Sequence, residues 1–210
     1  MRMRDYNLNS MPTSHEPLAL AEPAPALPSS SDNEIELLAL IARGDRDAFE
    51  RLYRVYLPRL TRFLRQLTRR PQAVEEAIND TMMVVWRRAS SYSSESKVST
   101  WIFAIAYRKG LKVLNRFDDP VADDADWTRP DENGTESRVM QHQLHQVLGE
   151  AMAQVSAEQR AVIELTYYQG CAYREIAEIM GCPIDTVKTR MFHARRRLRQ
   201  LLAERREDLP

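Results

Sequence analysis

The chain has 210 residues, enough for one or two domains, and its 43% apolar content supports real cores while 29% charged residues suit a soluble protein. Thirty basic and thirty acidic side chains cancel, so only the placement of charge along the chain is informative. No apolar run approaches the ~18–20 residues of a membrane span, and the opening MRMRDYNLNSMP lacks the apolar core of a signal peptide, so a cytoplasmic protein without membrane insertion is expected.

Residues 1 to 31 are rich in Pro, Ser and Ala, and a disordered tail is expected there. From Asp32, EIELLALIAR gives a short amphipathic helix ended by Gly44, with Asp45 as N-cap of a second helix. Pro58 removes a backbone donor inside that second helix, and a kink or restart is expected before PRLTRFLRQLTRR. From Arg51 to Arg70 there are seven arginines and no acid, backing an apolar stripe at helical spacing.

Pro71 opens the next helix, with Glu75 and Glu76 early and Arg87 and Arg88 at its end, as the macrodipole favours. Val74, Ile78, Met82, Val85 and Trp86 form its buried stripe, and Glu76, Asn79, Asp80 and Met83 are left to face out. The loop SSYSSESKVS follows, with Ser99 expected to cap TWIFAIAYRKGLKVLNR. That helix is apolar at first and basic later, through Arg108, Lys109, Lys112 and Arg116. Aromatics interleaved with bases suit a single nucleic-acid strand, although packing is the default for Trp101, Phe103 and Tyr107.

Residues 117 to 137 hold eight acids and one arginine, with two prolines and a glycine, and read as an acidic linker. Such a segment is either a solvated spacer or the occupant of a basic channel. Helices resume from 138 to 206; Ser156 with Gln159 forms a capping box, and Gly170 ends that helix. His142 and His145 share a face, but two histidines alone do not hold a metal. Cys171 and Cys182 read as packing thiols, with redox sensing as the alternative.

Residues 172 to 199 read as a helix-turn-helix: Ala172, Ile176, Ala177 and Ile179 point inward, Gly181 makes the turn, and Pro183 opens a second helix with Val187, Met191, Ala194 and Leu198 as its stripe. Eight Lys and Arg against one acid lie between Lys188 and Arg206. A helix about 10–12 Å across fits a major groove about 12 Å wide. No phosphate-binding glycine loop and no nucleophile–base pair occurs, so neither enzyme chemistry nor a cofactor is expected. The expected fold is all-α, two small helical domains, 32–116 and 138–206, on either side of the linker.

These blocks resemble the extracytoplasmic-function (ECF, group 4) sigma factors of the sigma-70 family, the compact alternative promoter-specificity subunits of bacterial RNA polymerase. The resemblance covers about residues 34 to 206. DAFERLYRVYLPRLTRFLRQL, VEEAINDTMMVVWRR and STWIFAIAYRKGLKVLNR resemble sigma region 2; LTYYQGCAYREIAEIMGCPIDTVKTRMFHARRRLRQLL resembles region 4. The resemblance implies that Lys188, Thr189, Phe192 and His193 read the minus-thirty-five element, with Arg190 and Arg195 to Arg197 mostly on phosphates. It implies that Glu76, Asn79, Asp80, Met82 and Met83 lie in the helix meeting the clamp helices of the polymerase's largest subunit. Tyr92 to Lys97, with Arg108, Lys109 and Lys112, would hold the melted minus-ten strand with one base flipped out. Core RNA polymerase, including its flap, promoter DNA and an anti-sigma factor are the implied partners. Tyr107 and Arg108 stand where relatives often have Arg and Asn, Lys112 where Asp is common, and Ala172 where Ser or Thr usually caps. A stand-alone helix-turn-helix regulator, or a decoy that holds an inhibitor, would use the same C-terminal block.

Overall fold

The computed structural model describes residues 31–68, 70–116 and 147–204. The expected tail through residue 30, the linker 117–137, His142 and His145 lie outside the described residues. Every described element is helical. In the N-terminal unit these are α1 (Ser31–Ala42), α2 (Arg46–Leu67), α3 (Pro71–Arg88), a short 3-10 turn (Ala89–Ser91) and α4 (Val98–Arg116). The C-terminal unit has α5, described over 147–153, then α6 (Ala157–Tyr167), α7 (Tyr173–Met180) and α8 (Ile184–Glu204).

The Asp45 carboxylate accepts the Asp47 and Ala48 N–H groups at 2.9 and 3.0 Å, the expected cap of α2. Pro58 does not interrupt α2, which runs unbroken to Leu67. An internal proline costs about 3 kcal/mol, but Tyr56, Leu60, Phe63 and Leu64 are fully buried on the opposite side, each contributing about 1.5–3 kcal/mol. Pro58 and Arg54, whose carbonyl loses its partner, are both exposed, so water can satisfy that group.

Pro71 stands at the first turn of α3, and Arg87 and Arg88 occupy its last turn. Trp86 is half-buried, edge-on to Phe49 at 5.2 Å. α4 starts one residue before the expected Ser99 cap: the Trp101 N–H donates to the Lys97 carbonyl at 3.1 Å, and Val98 is already buried. Packing of Val98 outweighs a serine cap worth about 1 kcal/mol. Gly110 lets α4 lie close on α2, since a Cβ there would stand 2.8 Å from both Leu64 Cδ2 and Leu67 Cδ1.

In the C-terminal unit, Ser156 Oγ accepts the Gln159 N–H at 3.3 Å and caps α6. Gly181 ends α7 at φ +63°, and the Cys182 N–H returns to the Ala177 carbonyl at 3.1 Å. Pro183 sits just ahead of α8 rather than inside it, its carbonyl accepting the Thr186 N–H at 2.9 Å. Val187, Met191 and Ala194 are buried along α8 against Ile176 and Ile179 of α7, as the helix-turn-helix spacing requires. Ala172 is exposed, contrary to its expected inward position; the Glu175 carboxylate accepts its N–H at 2.8 Å in place of a capping hydroxyl.

The two units pack together, α6 on α2 and α7 on α4. Arg59 Nε donates to Gln169 Oε1 at 3.0 Å, Arg62 pairs with Glu164 at 3.0 Å, Arg160 Nε donates to the Gln66 carbonyl at 2.8 Å, and Lys97 pairs with Glu175 at 2.9 Å. Cys171 is buried within this contact.

Candidate nucleic-acid interface

α8 exposes its outer face because its inner stripe is taken by α7 and α6. Lys188, Thr189, Phe192, His193, Arg196 and Arg197 are all solvent-facing, and Phe192, 61% exposed, lies edge-on to His193 at 5.5 Å. An apolar ring left in water on a cationic face suits contact with a thymine methyl. Lys188 Nζ donates to Asp185 at 3.0 Å, and the Thr189 hydroxyl donates to the Asp185 carbonyl at 2.8 Å. Arg197 is held by Gln154 Oε1 at 3.1 Å, and Arg195 by the Tyr167 hydroxyl. Beside this face runs an open groove, with about 450 Å³ near Gln154, Arg196 and Arg197 and about 320 Å³ near Thr189 and Arg190, His193 and Gln159 lining both parts. Gln159 was legible only as a capping residue.

Arg190 is the exception on α8. It is half-buried, donates to Cys182 Sγ at 3.6 Å, and lies beside the Tyr107 phenol of the N-terminal unit. Burial pushes the Tyr107 hydroxyl pKa up, with Arg190 opposing. Phe103 and Tyr107 are core side chains, Phe63 meeting Phe103 edge-on at 5.2 Å; Trp101 is half-buried.

Several basic residues of the N-terminal unit hold carboxylates. Lys109 Nζ pairs with Asp80 at 2.9 Å, and Arg116 pairs with Glu76, tying the basic end of α4 to the outer face of α3. Arg108 and Lys112 are exposed. Tyr92 is half-buried against Trp101 at 5.6 Å, its hydroxyl donating to the Ser96 carbonyl. The bond to Glu175 raises the Lys97 pKa, while burial raises that of Tyr92.

On α3, Asn79 is exposed, Met83 is 49% exposed, and Glu76 and Asp80 are partly exposed. Met82 does not join them: it is 2% exposed and packs in the core. Met82, four residues after Ile78 and three before Val85, shares their buried face on a 100°-per-residue helix, so the surface expected from the resemblance loses this member.

Three residues where the units meet were not singled out from the sequence. Arg59 and Arg62 belong to the acid-free arginine run, which was a signal; Glu164, a single acid within AVIEL, was another. Glu164 is 2% exposed, and burial raises its pKa against the opposing pull of Arg62. Burial, with Glu175 nearby, pushes the Cys171 thiol up to about 12, opposed by Arg59 and Lys97. Among the described residues no cluster of His, Cys, Asp and Glu could hold a metal ion, and no helix is long and apolar enough to cross a membrane.

The two packed sets of helices, one bearing an exposed cationic helix-turn-helix, match the parts of a sigma-70 factor. Residues 52–116 match sigma-70 region 2, and residues 145–198 match sigma-70 region 4. The ECF RNA polymerase sigma factor RpoE of Cereibacter sphaeroides is 33% identical over 158 residues, covering 74% of this chain and 87% of that protein. The ECF sigma factor SigM of Mycobacterium tuberculosis is 31% identical over 172 residues, covering 81% of this chain and 85% of that protein. Among solved structures, the sigma factor RpoE of Bartonella quintana, crystallised with the anti-sigma factor NepR, superposes with a TM-score of 0.57 at 27% identity, covering 74% of this chain and 96% of that one. CnrH, in complex with the cytosolic domain of CnrY, shares the fold at a TM-score of 0.59 and 22% identity, covering 82% of this chain and 99% of that one. The chain belongs to the sigma-70 family, and within it to the ECF RNA polymerase sigma factors.

Proposed function

We propose that this ECF sigma factor works as a non-enzymatic, cytoplasmic subunit that binds core RNA polymerase and directs it to promoters. The domain limits are those of the sequence reading, residues 32–116 for region 2 and 138–206 for region 4. α8 reads the minus-thirty-five duplex through Lys188, Thr189, Phe192 and His193, with Arg190, Arg196 and Arg197 on phosphates. Tyr92, Lys97, Arg108, Lys109 and Lys112 hold the melted minus-ten strand, and the outer face of α3, with Glu76, Asn79, Asp80 and Met83, meets the clamp helices while region 4 meets the flap. By analogy with the relative crystallised with NepR, an anti-sigma factor is a further partner.

The observation that carries this reading is the division of labour. One unit exposes an apolar ring on a cationic helix, suited to duplex, and the other pairs Tyr92 and Trp101 rings beside Lys97, suited to unpaired bases. Their names place the two promoter elements about 25 base pairs apart, or about 85 Å at 3.4 Å per step. Units joined by a 2.9 Å contact between Lys97 and Glu175 do not span that distance, so promoter engagement requires them to separate. With purified core polymerase and a promoter library, the chain should produce specific starts with permanganate-reactive thymines at the minus-ten element. Starts no different from those of polymerase alone would sink the reading.

A further inference from the structure

The contact between the units is built from groups that imitate a nucleotide. Arg62 holds the Glu164 carboxylate at 3.0 Å, and the centre of its guanidinium lies 3.2 Å from the centroid of the Tyr168 ring. A carboxylate on the guanidinium Nε and an aromatic ring on its face are what a phosphate and an unpaired base would supply. Arg59, one turn earlier on α2, is bonded to Gln169 at 3.0 Å, and its guanidinium also rests against the Tyr56 ring at 4.8 Å. Lys97, on the loop before α4, pairs with Glu175 at 2.9 Å. Each of the three cations thus contacts the C-terminal unit, Arg59 and Arg62 from successive turns of α2 and Lys97 from the loop before α4, and the buried Cys171 lies near Arg59 and Lys97. The half-buried Trp101 and Tyr92 rings, 5.6 Å apart, adjoin the Lys97 backbone, whose carbonyl accepts the Trp101 N–H at 3.1 Å.

We propose that Arg59, Arg62 and Lys97 form a phosphate-binding track for a single nucleic-acid strand, and that Glu164, Tyr168 and Glu175 occupy it as stand-ins until a strand displaces them. Lys97 enters through the minus-ten assignment above, on which the proposal rests; Arg59 and Arg62 extend that trap onto α2. Strand binding and domain closure then compete for the same cations, and each weakens the other by the same factor. Closure keeps Glu164 out of water, a cost that strand binding removes. Duplex is disfavoured because its bases cannot take the place of Tyr168 on the Arg62 guanidinium.

The test uses the full chain and a labelled mixed-sequence DNA single strand, titrated over a range of salt. Glu164→Arg places a cation against Arg62, and should tighten strand binding about tenfold, or about 1.4 kcal/mol. Adding Arg59→Gln and Arg62→Gln in that background should reverse the gain and lower the log–log salt slope by about 1.4, since each phosphate contact on a single strand contributes about 0.7. Circular dichroism checks that each variant keeps its helices. In the unaltered chain, carbodiimide should join Lys97 Nζ to the Glu175 carboxyl as an amide, the carbodiimide taking up the water lost. Peptide mass spectrometry should find that link vanish as the strand saturates. An unchanged salt slope, a link that persists at saturation, or duplex binding that gains as much from Glu164→Arg would overturn the proposal. Failure of the sigma reading would show separately, as absence of specific initiation by the unaltered chain with polymerase.

Discussion

The two cationic surfaces are finished in opposite ways. On α8 the cations stand in water beside an exposed Phe192, Lys188 pairing within its own helix with Asp185, whereas in the N-terminal unit Lys97 holds Glu175 of the other unit and Arg59 and Arg62 lie half-buried beneath it. Duplex presents its phosphates on the outside, so a reading helix can stay open. A single strand must be gripped by a surface that also stacks its bases, and such a surface, half apolar and half cationic, invites a cover in the meantime. The C-terminal unit covers Arg59, Arg62 and Lys97 and leaves Arg108 and Lys112 of α4 and the outer face of α8 open, so under the proposed function the duplex-reading surface is accessible and part of the strand-binding one is covered.

The sharpest way to break the contrast is to destroy one side of it. Gly110 is where α4 lies on Leu64 and Leu67 of α2. Gly110→Val would force those leucines apart, and overpacking of this kind costs about 1–3 kcal/mol, with a further loss from the β-branched side chain's restricted rotamers. Urea unfolding followed by circular dichroism should show the loss. Full stability in the variant would mean that α4 is not seated on α2 as described.

A second pair of substitutions separates reading from gripping on α8. Lys188→Ala should change which upstream sequences are preferred, by about 1–3 kcal/mol at the base it faces. Arg197→Ala, at the Gln154 side of the groove, should weaken all sequences alike. Selection from randomised upstream duplexes distinguishes the two, and an unchanged preference in the Lys188 variant would remove it from the reading set.

The thiols sharpen the contrast between covered and open surfaces. Cys171 is buried, with its pKa pushed up to about 12, so it should resist iodoacetamide at pH 8. Cys182 is only partly buried, and should be alkylated first. Glu164→Arg should speed labelling of Cys171 severalfold, because separation of the units exposes it to water. Peptide mass spectrometry over time gives both rates, and a Cys171 rate unaltered by Glu164→Arg would show that the thiol is shielded within its own unit.

Periodicity and capping made the helices legible. Asp45, Ser156, Gly44 and Gly181 mark ends that fall where they should, and the stripe from Val187 to Ala194 is buried as its spacing requires. Packing overrode the local rule at the start of α4, and at Pro58 the helix continues rather than restarting. The helix-turn-helix cations were legible because their meaning is local: a cationic face coupled to a turn. The contact between units was not, since Arg59 meets Gln169 across 110 residues of chain and Arg62 meets Glu164 across 102. A charge run shows that partners are needed, and cannot show that the partners lie in the same chain. Met82 illustrates the converse: a family role given to a helix as a whole was extended to a side chain that its own apolar spacing had already placed inside.

The smallest expected effect is on closure itself, as pH changes. Glu164 faces Arg62 of α2 and the Gln169 amide, and burial raises its pKa above the usual carboxylate range. With the units apart it would be hydrated and titrate near its ordinary value of about 4.3. The closed form therefore binds the proton more tightly than the open form. Its contribution to closure is fully present below the ordinary value, and is lost as pH rises through the raised one. Between those values acid should favour the compact chain, and small-angle X-ray scattering should give a smaller radius of gyration at the acid end. Glu34, whose pKa burial also raises, lies on α1 near Arg59 and adds a dependence of its own. The comparison that isolates Glu164 is therefore with Glu164→Gln, which keeps an acceptor for Arg62 but cannot titrate. Compaction by acid should be weaker in that variant, and equal compaction in both chains would transfer the effect to Glu34.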